Sequence, residues 1–239
     1  MPLNSRLLKI AGMIREGALV ADIGTDHAYL PVFLINRGIC SKVFACDVAD
    51  GPLKNAKDNI EASRITGIEL RKGDGLNAVK PFEADTFVLA GMGGDLIAKI
   101  ITDAPWIKSP QYELILQPMT SAEDLRRFLC ENGFKILDER AVSSQGRIYT
   151  VIKVAYKGEV DECSPLFYYF GKLIEDPEED ELIYIKRKYR ILLKLSSDIE
   201  KIDSKKQQYE TLREVLKKIE GLIKKWELTD YFYGDLKMN

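Results

Sequence analysis

The sequence predicts an α/β fold: a mainly parallel sheet with helices on both faces, joined to a helical tail. Three observations carry that prediction. Apolar runs of strand length alternate with stretches of helical spacing through about residue 155, the pattern of a parallel sheet covered on both sides. The first four runs each lead into a short stretch carrying an acid, a glycine or both. Beyond about Lys157 the alternation stops and a long, highly charged helical spacing begins.

The elements follow in order. Ser5 can cap a first helix in which Leu7, Ile10, Ala11 and Ile14 recur at helical spacing, with Gly17 closing it. Residues 19–23 read as the first strand and 30–37 as a short helix closed by Gly38. Residues 42–47 form a second strand ending in Asp47. A helix over 52–63 starts with Pro52, where a missing N–H costs little. Residues 68–72 make a third strand, followed by Gly73-Asp74-Gly75. Residues 86–90 make a fourth, followed by an open Gly91-Met92-Gly93-Gly94 loop and a helix to about Ile101. Residues 112–117 make a fifth, followed by Pro118 and a helix over 121–132. Residues 134–141 and 149–156 read as an antiparallel pair separated by a polar stretch containing Gly146. A closing hairpin after five alternating units is the mark of methyltransferase-type sheets.

The tail has its own logic. The acidic run Glu175-Asp176-Pro177-Glu178-Glu179-Asp180-Glu181 stands at the start of a helical pattern, where acids suit the positive end of the helix dipole. Leu182, Ile185, Tyr189, Leu192 and Ile199 keep one 3/4 spacing, and Tyr209, Leu212, Leu216, Ile219, Ile223 and Trp226 keep another. The two fall out of phase near residues 202–204, which predicts two helices packed as an antiparallel coiled coil. Residues 186–225 hold thirteen Lys or Arg against six Asp or Glu, a local net charge of +7. Such a surface is either a solvated helix face or a ridge for RNA phosphates. The predicted domains are therefore 1–157, the sheet, and 158–239, the helical coiled coil.

Composition excludes several classes. The whole chain of 239 residues carries a net charge of −2, so any nucleic-acid contact must come from a local patch. Hydrophobic residues at 46% are enough for a core. Cys40, Cys46, Cys130 and Cys163 show no CxxC pairing and read as buried reduced thiols of a cytoplasmic protein. One histidine and no cysteine cluster argue against a metal site. No signal pattern and no apolar run of membrane-spanning length is present, so no membrane is expected. The heptad pattern does not separate an intramolecular hairpin from an intermolecular one; a monomer is favoured.

The chemistry sits at the strand ends, the edge where ligands bind in such sheets. The first loop carries Asp22, Gly24, Thr25, Asp26 and His27. Gly24 permits the tight turn, but Asp26 stands where a second glycine would face a pyrophosphate. Asp26 and Ala28 in place of fingerprint glycines count against NAD and admit S-adenosylmethionine, which needs no phosphate cradle there. Asp47 can accept from both ribose hydroxyls. Asp74, with Gly75 beside it, can accept from an exocyclic adenine amine. Gly91, Met92 and Gly93 offer a rim where a substrate could approach. His27 beside Asp26 reads either as an acid–base group or as a polar tie for the loop. With a lone histidine and no nucleophile elbow, no catalytic triad can be assembled.

The blocks Asp22-Ile23-Gly24-Thr25-Asp26-His27-Ala28-Tyr29-Leu30-Pro31, Gly73-Asp74-Gly75, Ala90-Gly91-Met92-Gly93-Gly94 and Leu116-Gln117-Pro118 together resemble the bacterial tRNA adenine-22 N1-methyltransferases. The Asn4-Ser5-Arg6-Leu7 start and Arg147-Ile148-Tyr149 are also similar. The resemblance covers about the first 155 residues by motif; the tail agrees in architecture only. It implies a class I, Rossmann-like methyltransferase sheet, S-adenosylmethionine as donor, tRNA as partner and a coiled coil that helps to hold it. It also implies Asp26 as catalytic residue, with Met92, Gly93, Gln117, Pro118 and Tyr149 as substrate contacts.

Adenine N1 has its own lone pair, so no strong base is needed, and the methylated ring is cationic. A carboxylate near the ring then stabilises charge that grows during transfer. Asp26 has that role if it faces the base, and binds the donor's amino group if it does not. The competing readings are a small-molecule or protein methyltransferase with the coiled coil as a dimerisation device, a non-catalytic RNA-binding module on the same fold, and an NAD oxidoreductase.

Overall fold

A computed structural model of the chain describes residues 3–160 and 162–234. It comprises two compact units, Met1–Glu162 and Cys163–Asn239. The first unit runs α1 (Ser5–Met13), β1 (Leu19–Ile23), α2 (Tyr29–Asn36), β2 (Lys42–Asp47), α3 (Asp50–Ser63), β3 (Ile68–Lys72), β4 (Thr86–Gly93), α4 (Gly94–Thr102), β5 (Glu113–Thr120), α5 (Ala122–Glu131), β6 (Phe134–Ser144) and β7 (Arg147–Tyr156). The seven strands form one sheet in the order β3-β2-β1-β4-β5-β7-β6. The first five are mutually parallel, and β7 runs antiparallel to both β5 and β6. The order reverses between β1 and β4, which opens a crevice at their carboxyl ends.

Both faces of the sheet are covered, as a parallel sheet requires. On one face Ile10, Ala11, Met13 and Ile14 of α1 and Leu30 and Leu34 of α2 pack against Val20, Val43, Val88, Ile115 and Val151. The alternate residues Ala21, Phe87, Leu89, Leu114 and Leu116 are just as fully buried. Within this unit Arg126 of α5 and Glu139 of β6 form an ion pair with no exposed surface, at 2.7 Å, and Thr150 donates to the same carboxylate oxygen at 2.6 Å. The pair fixes α5 to the closing hairpin.

Several boundaries differ from the sequence reading. The cap of α1 is Asn4, not Ser5: the Asn4 side chain accepts from the Leu7 N–H at 2.9 Å, while the Ser5 hydroxyl donates to Ser143 O. The Gly91-Met92-Gly93 stretch is not an open loop but the end of β4, paired irregularly with β5 (Met92 with Pro118, Gly93 with Thr120). Pro118 likewise lies inside β5, beyond Leu116, the last residue that β7 pairs, where a missing N–H breaks no ladder. Gly94 lets α4 start against this edge, since a Cβ there would stand 2.5 Å from Ser121 O. The hairpin strands are longer than expected and meet at Gln145-Gly146, with φ of 51° and 72°, a left-handed two-residue turn. Cys40 and Cys46 are buried free thiols, and burial pushes Cys40 up to about 11. Cys130 and Cys163, in contrast to the reduced thiols expected from the sequence, are disulfide-bonded.

The second unit contains α6 (Pro165–Phe170), α7 (Glu179–Ile199), α8 (Lys206–Lys225) and α9 (Thr229–Tyr233). The acidic run begins α7 as expected, with Glu178 and Glu181 forming a reciprocal capping box. A short turn at Asp203–Lys205 separates α7 from α8. They pack antiparallel: Tyr189 donates to Glu220 and Tyr209 to Glu200, each at 2.8 Å. Ile185, Tyr189, Leu192 and Ile199 bury against Leu212, Leu216, Ile219 and Ile223. The sequence reading missed α6 and α9, whose Phe170 and Phe232 complete this core.

Arg126→Met leaves the Glu139 carboxylate buried without its cation. Chemical denaturation should show a loss of about 3–5 kcal/mol. Replacing both partners by apolar residues of similar volume should recover most of it.

Candidate active site

The first strand-to-helix connection is built from backbone. Gly24 turns with φ 81°, and the Gly24 and Thr25 N–H groups both donate to Cys46 O of β2, at 2.8 and 2.9 Å. Ala28, fully buried, holds φ 52°, a left-handed conformation that costs a non-glycine residue roughly 1 kcal/mol or more. This folded-back loop walls a cavity of about 240 Å³ at the β1/β4 crevice. The cavity is lined by Asp22, Thr25, Asp26 and His27 from the loop and by Asn4 and Arg6 from the start of α1.

Asp22 lies at the buried end of β1, and burial pushes its carboxyl up to about 6, against the pull of the Thr25 hydroxyl and of Arg6. Arg6 is held by Gln117: its Nη1 donates to Gln117 Oε1 at 2.6 Å. The Gly91 N–H donates to the same oxygen at 3.1 Å, and Gln117 Nε2 donates to Pro118 O at 2.9 Å. Gln117 is fully buried, so it supports the crevice from beneath instead of standing on its rim. Tyr149 is half-buried against the α1 face of the sheet and close enough to couple electrostatically to Arg6. Met92 reaches across to the first loop, its Cε lying 2.3 Å from where a Cβ on Gly24 would be.

The remaining residues divide. Asp26 stands at the mouth with a side chain 68% exposed, 3.3 Å from His27 Nε2. The His27 ring stacks on Tyr29, and its carbonyl accepts from Asn59 at 2.8 Å, contacts that tie the loop down. Asp47 accepts from the Ala49 N–H at 2.8 Å through one carboxylate oxygen. Its carbonyl takes the Gly73 N–H at 3.0 Å, linking the second and third loops. Asp74 and Gly75 line a different, smaller cavity of about 170 Å³ with Asn77, Lys99 and Ile100. Gly93 lies against Thr120, away from the Asp22 cavity. Asn4 and Arg6 were missed as site residues by motif reasoning: 111 positions separate Arg6 from Gln117, and no local pattern connects them.

Among the described residues no group of His, Cys, Asp and Glu could hold a metal ion, and no helix is long and apolar enough to cross a membrane.

A family model described as a methyltransferase domain matches residues 3–152. With the seven-stranded sheet and its reversed closing hairpin, this makes the chain a Rossmann-like methyltransferase. A Bacillus subtilis tRNA (adenine(22)-N(1))-methyltransferase is 38% identical over 162 residues, covering 67% of this chain and 68% of that one. The chain belongs to the bacterial tRNA (adenine-22-N1)-methyltransferase family. The crystal structure of a B. subtilis m1A22 tRNA methyltransferase superposes with a TM-score of 0.77 at 29% identity, covering 93% of this chain and 98% of that one. A Streptococcus pneumoniae relative solved in complex with S-adenosyl-L-methionine gives 0.75 at 29% identity, covering 88% and 98%.

The raised Asp22 carboxyl has a consequence for stability. It binds its proton more tightly in the folded chain than in the unfolded one. The stability this contributes is therefore present below about pH 4 and lost as the pH rises through about 6. Asp22→Asn should stabilise the ligand-free protein above pH 7, by up to about 3 kcal/mol. The advantage over wild type should close as the pH falls toward 4 in thermal unfolding.

Proposed function

We propose that this chain methylates N1 of adenine 22 in bacterial tRNA with S-adenosylmethionine as donor. The observation that carries the reading is the cavity at the β1/β4 crevice, walled by the Asp22–Tyr29 loop that the family resemblance rests on. Bound S-adenosylmethionine supplies an electrophilic sulfonium methyl. The site fits such a donor on its own chemistry. Asp47 keeps one carboxylate oxygen for ribose hydroxyls, and Val48 beside it offers exposed apolar surface to a base. In this reading Asp74 and Gly75, on the adjoining loop, take an adenine edge, and Asp22, Gly24, Thr25, His27 and Gly91 frame the other end.

Asp26 is the catalytic residue of this proposal. Its exposure at the cavity mouth suits a group that meets the incoming base better than one buried against the donor. It holds negative charge where the adenine ring becomes cationic, and no residue has to remove a proton from N1 before attack. Met92 and Tyr149 position the base. N1 lies on the Watson–Crick edge, so the target adenine must leave its stack to reach this mouth.

Residues 1–157 act as the methyltransferase domain and 158–239 as a helical domain that engages tRNA through its basic faces. The protein works in the cytoplasm and as a monomer, since the apolar seam of α7 and α8 is filled by helices of its own chain.

Incubation with unmodified tRNA and donor, followed by mass spectrometry of the digested RNA, should reveal 1-methyladenosine at position 22. Asp26→Ala should lower kcat at least ~100-fold while the dissociation constant for S-adenosylhomocysteine stays within about threefold. A loss of cofactor affinity matching the loss of turnover would move Asp26 to the donor.

Lys205→Gln/Lys206→Gln/Lys217→Gln, all at exposed positions of the second unit, should weaken tRNA binding several-fold. The plot of log affinity against log salt should flatten with it. Unchanged affinity and slope would remove these lysines from the tRNA surface.

A further inference from the structure

The inward face of α7 runs Ile185, Tyr189, Leu192, Ser196 and Ile199, a heptad seam with one polar member. Ser196 is buried like its neighbours, but it is far shorter than the leucine such a position takes. Beside it a groove of about 640 Å³ opens between α7 and α8, within the ~300–1,000 Å³ of ligand sites. Leu193 and Leu216 give the groove apolar walls, and Arg213, Lys217 and Glu220 give it charge of both signs. Tyrosines hold two of these charged groups. Tyr189 donates to Glu220 Oε1 at 2.8 Å, and burial pushes its phenol up, so it stays a donor. Glu220 keeps further lone pairs with which to accept. Arg213 Nη1 donates to the Tyr209 hydroxyl at 3.1 Å, and its guanidinium lies 5.7 Å from the centre of that ring. Among the described residues neither Arg213 nor Lys217 forms an ion pair.

We propose that this groove takes one unpaired guanine of the tRNA substrate. The base lies between Leu193 and Leu216 over Ser196, Glu220 accepts from its N1–H and 2-amine, and Arg213 and Lys217 hold the phosphates beside it. The proposal rests on the tRNA reading given above and adds a base-reading site within the helical unit. Charge of both signs selects this class of ligand. An acidic peptide would be repelled by Glu220, and a basic one by Arg213 and Lys217. A nucleotide carries donors on its base edge and negative charge on its backbone, so each sign meets its opposite. Unpaired RNA bases are read on such edges once they leave their stack. A carboxylate selects guanine among them. The Watson–Crick edge of guanine has two adjacent N–H donors. Adenine and cytosine set an acceptor nitrogen beside their amine, and uracil sets a carbonyl on each side of its one N–H. Those acceptors would face Glu220 unpaired.

The test measures binding of the full chain to short uridine RNAs with one central guanosine, inosine or adenosine, by fluorescence anisotropy. Inosine keeps the N1–H and lacks the 2-amine. Guanosine should bind about tenfold tighter than either of the others. Glu220→Gln should remove this preference. Ser196→Leu, which fills the groove and completes the seam, should remove it too, with no loss of thermal stability. Arg213→Gln should weaken all three RNAs alike and flatten their salt dependence. In the methylation assay both Glu220→Gln and Ser196→Leu should raise the KM for tRNA several-fold, with S-adenosylhomocysteine affinity unchanged as the check on folding. Equal affinity for the three RNAs, or a tRNA KM that neither variant raises, would overturn the site. A chain that binds neither these RNAs nor tRNA would overturn the tRNA reading itself.

Discussion

The site depends on one buried oxygen. Gln117 Oε1 receives the Arg6 guanidinium from α1 and the Gly91 N–H from β4 while its own backbone belongs to β5. Three elements distant in the chain are thereby pinned at the point where the sheet order reverses. A buried amide oxygen with two donors is satisfied, and losing both would leave a polar group without compensation in a dry place. The β4 irregularity follows from this. Gly91 turns with φ 77°, which brings its N–H onto Gln117 and shifts the register toward Pro118 and Thr120. What looks like a flexible glycine run is a fixed bulge with a hydrogen-bonding purpose.

The first loop shows how a nucleotide-type fold loses its phosphate site. A pyrophosphate cradle needs bare backbone at two or three glycines. Here Gly24 keeps the turn and donates, with Thr25, to Cys46 of the neighbouring strand, so those N–H groups serve the sheet and not an anion. Ala28 keeps the left-handed backbone of a glycine while adding a methyl to the core. Asp26, freed from any phosphate, projects a carboxylate to the mouth. The loop retains the geometry of its class and reverses its electrostatics, which suits a cationic donor and a ring that gains positive charge.

Legibility in the sequence followed the range of the interactions. β1, β2 and β3 could be read because apolar runs bounded by glycine and charge form strands almost anywhere in a parallel sheet. Asp22, Asp26 and Asp47 could be picked out because acid- and glycine-bearing loops stand in register at successive strand ends, a coincidence that no single loop would carry. The cap of α1 was misplaced by one residue because Asn4 and Ser5 are nearly equal caps, and the Ser5 hydroxyl finds Ser143 instead. The end of β4 has the composition of a loop, and its pairing with β5 is invisible without Gln117. Helix α6, short and aromatic, has no amphipathic period long enough to detect; its Phe170 matters only once α7 and α8 leave a gap. The Asp74 cavity and the Asp22 cavity are separate in space though their motifs look alike in sequence.

Depth divides the chemistry of this domain. Asp22 and Arg6 are buried or half-buried, and charges there are costly unless a ligand pairs them. Asp26 stands exposed at the mouth. In the proposed reaction binding energy is therefore concentrated below and charge stabilisation above. Closing a base over the mouth removes water from Asp26 just as the ring becomes cationic, and an interaction that is weak in solvent strengthens as the local dielectric falls. A catalytic carboxylate buried from the start would bind a proton more tightly, as burial makes Asp22 do, and would hold less of the charge the proposed reaction uses. In the proposed reaction the exposure of Asp26 in the free protein is thus a condition for its use, and the flipped adenine itself supplies the desolvation.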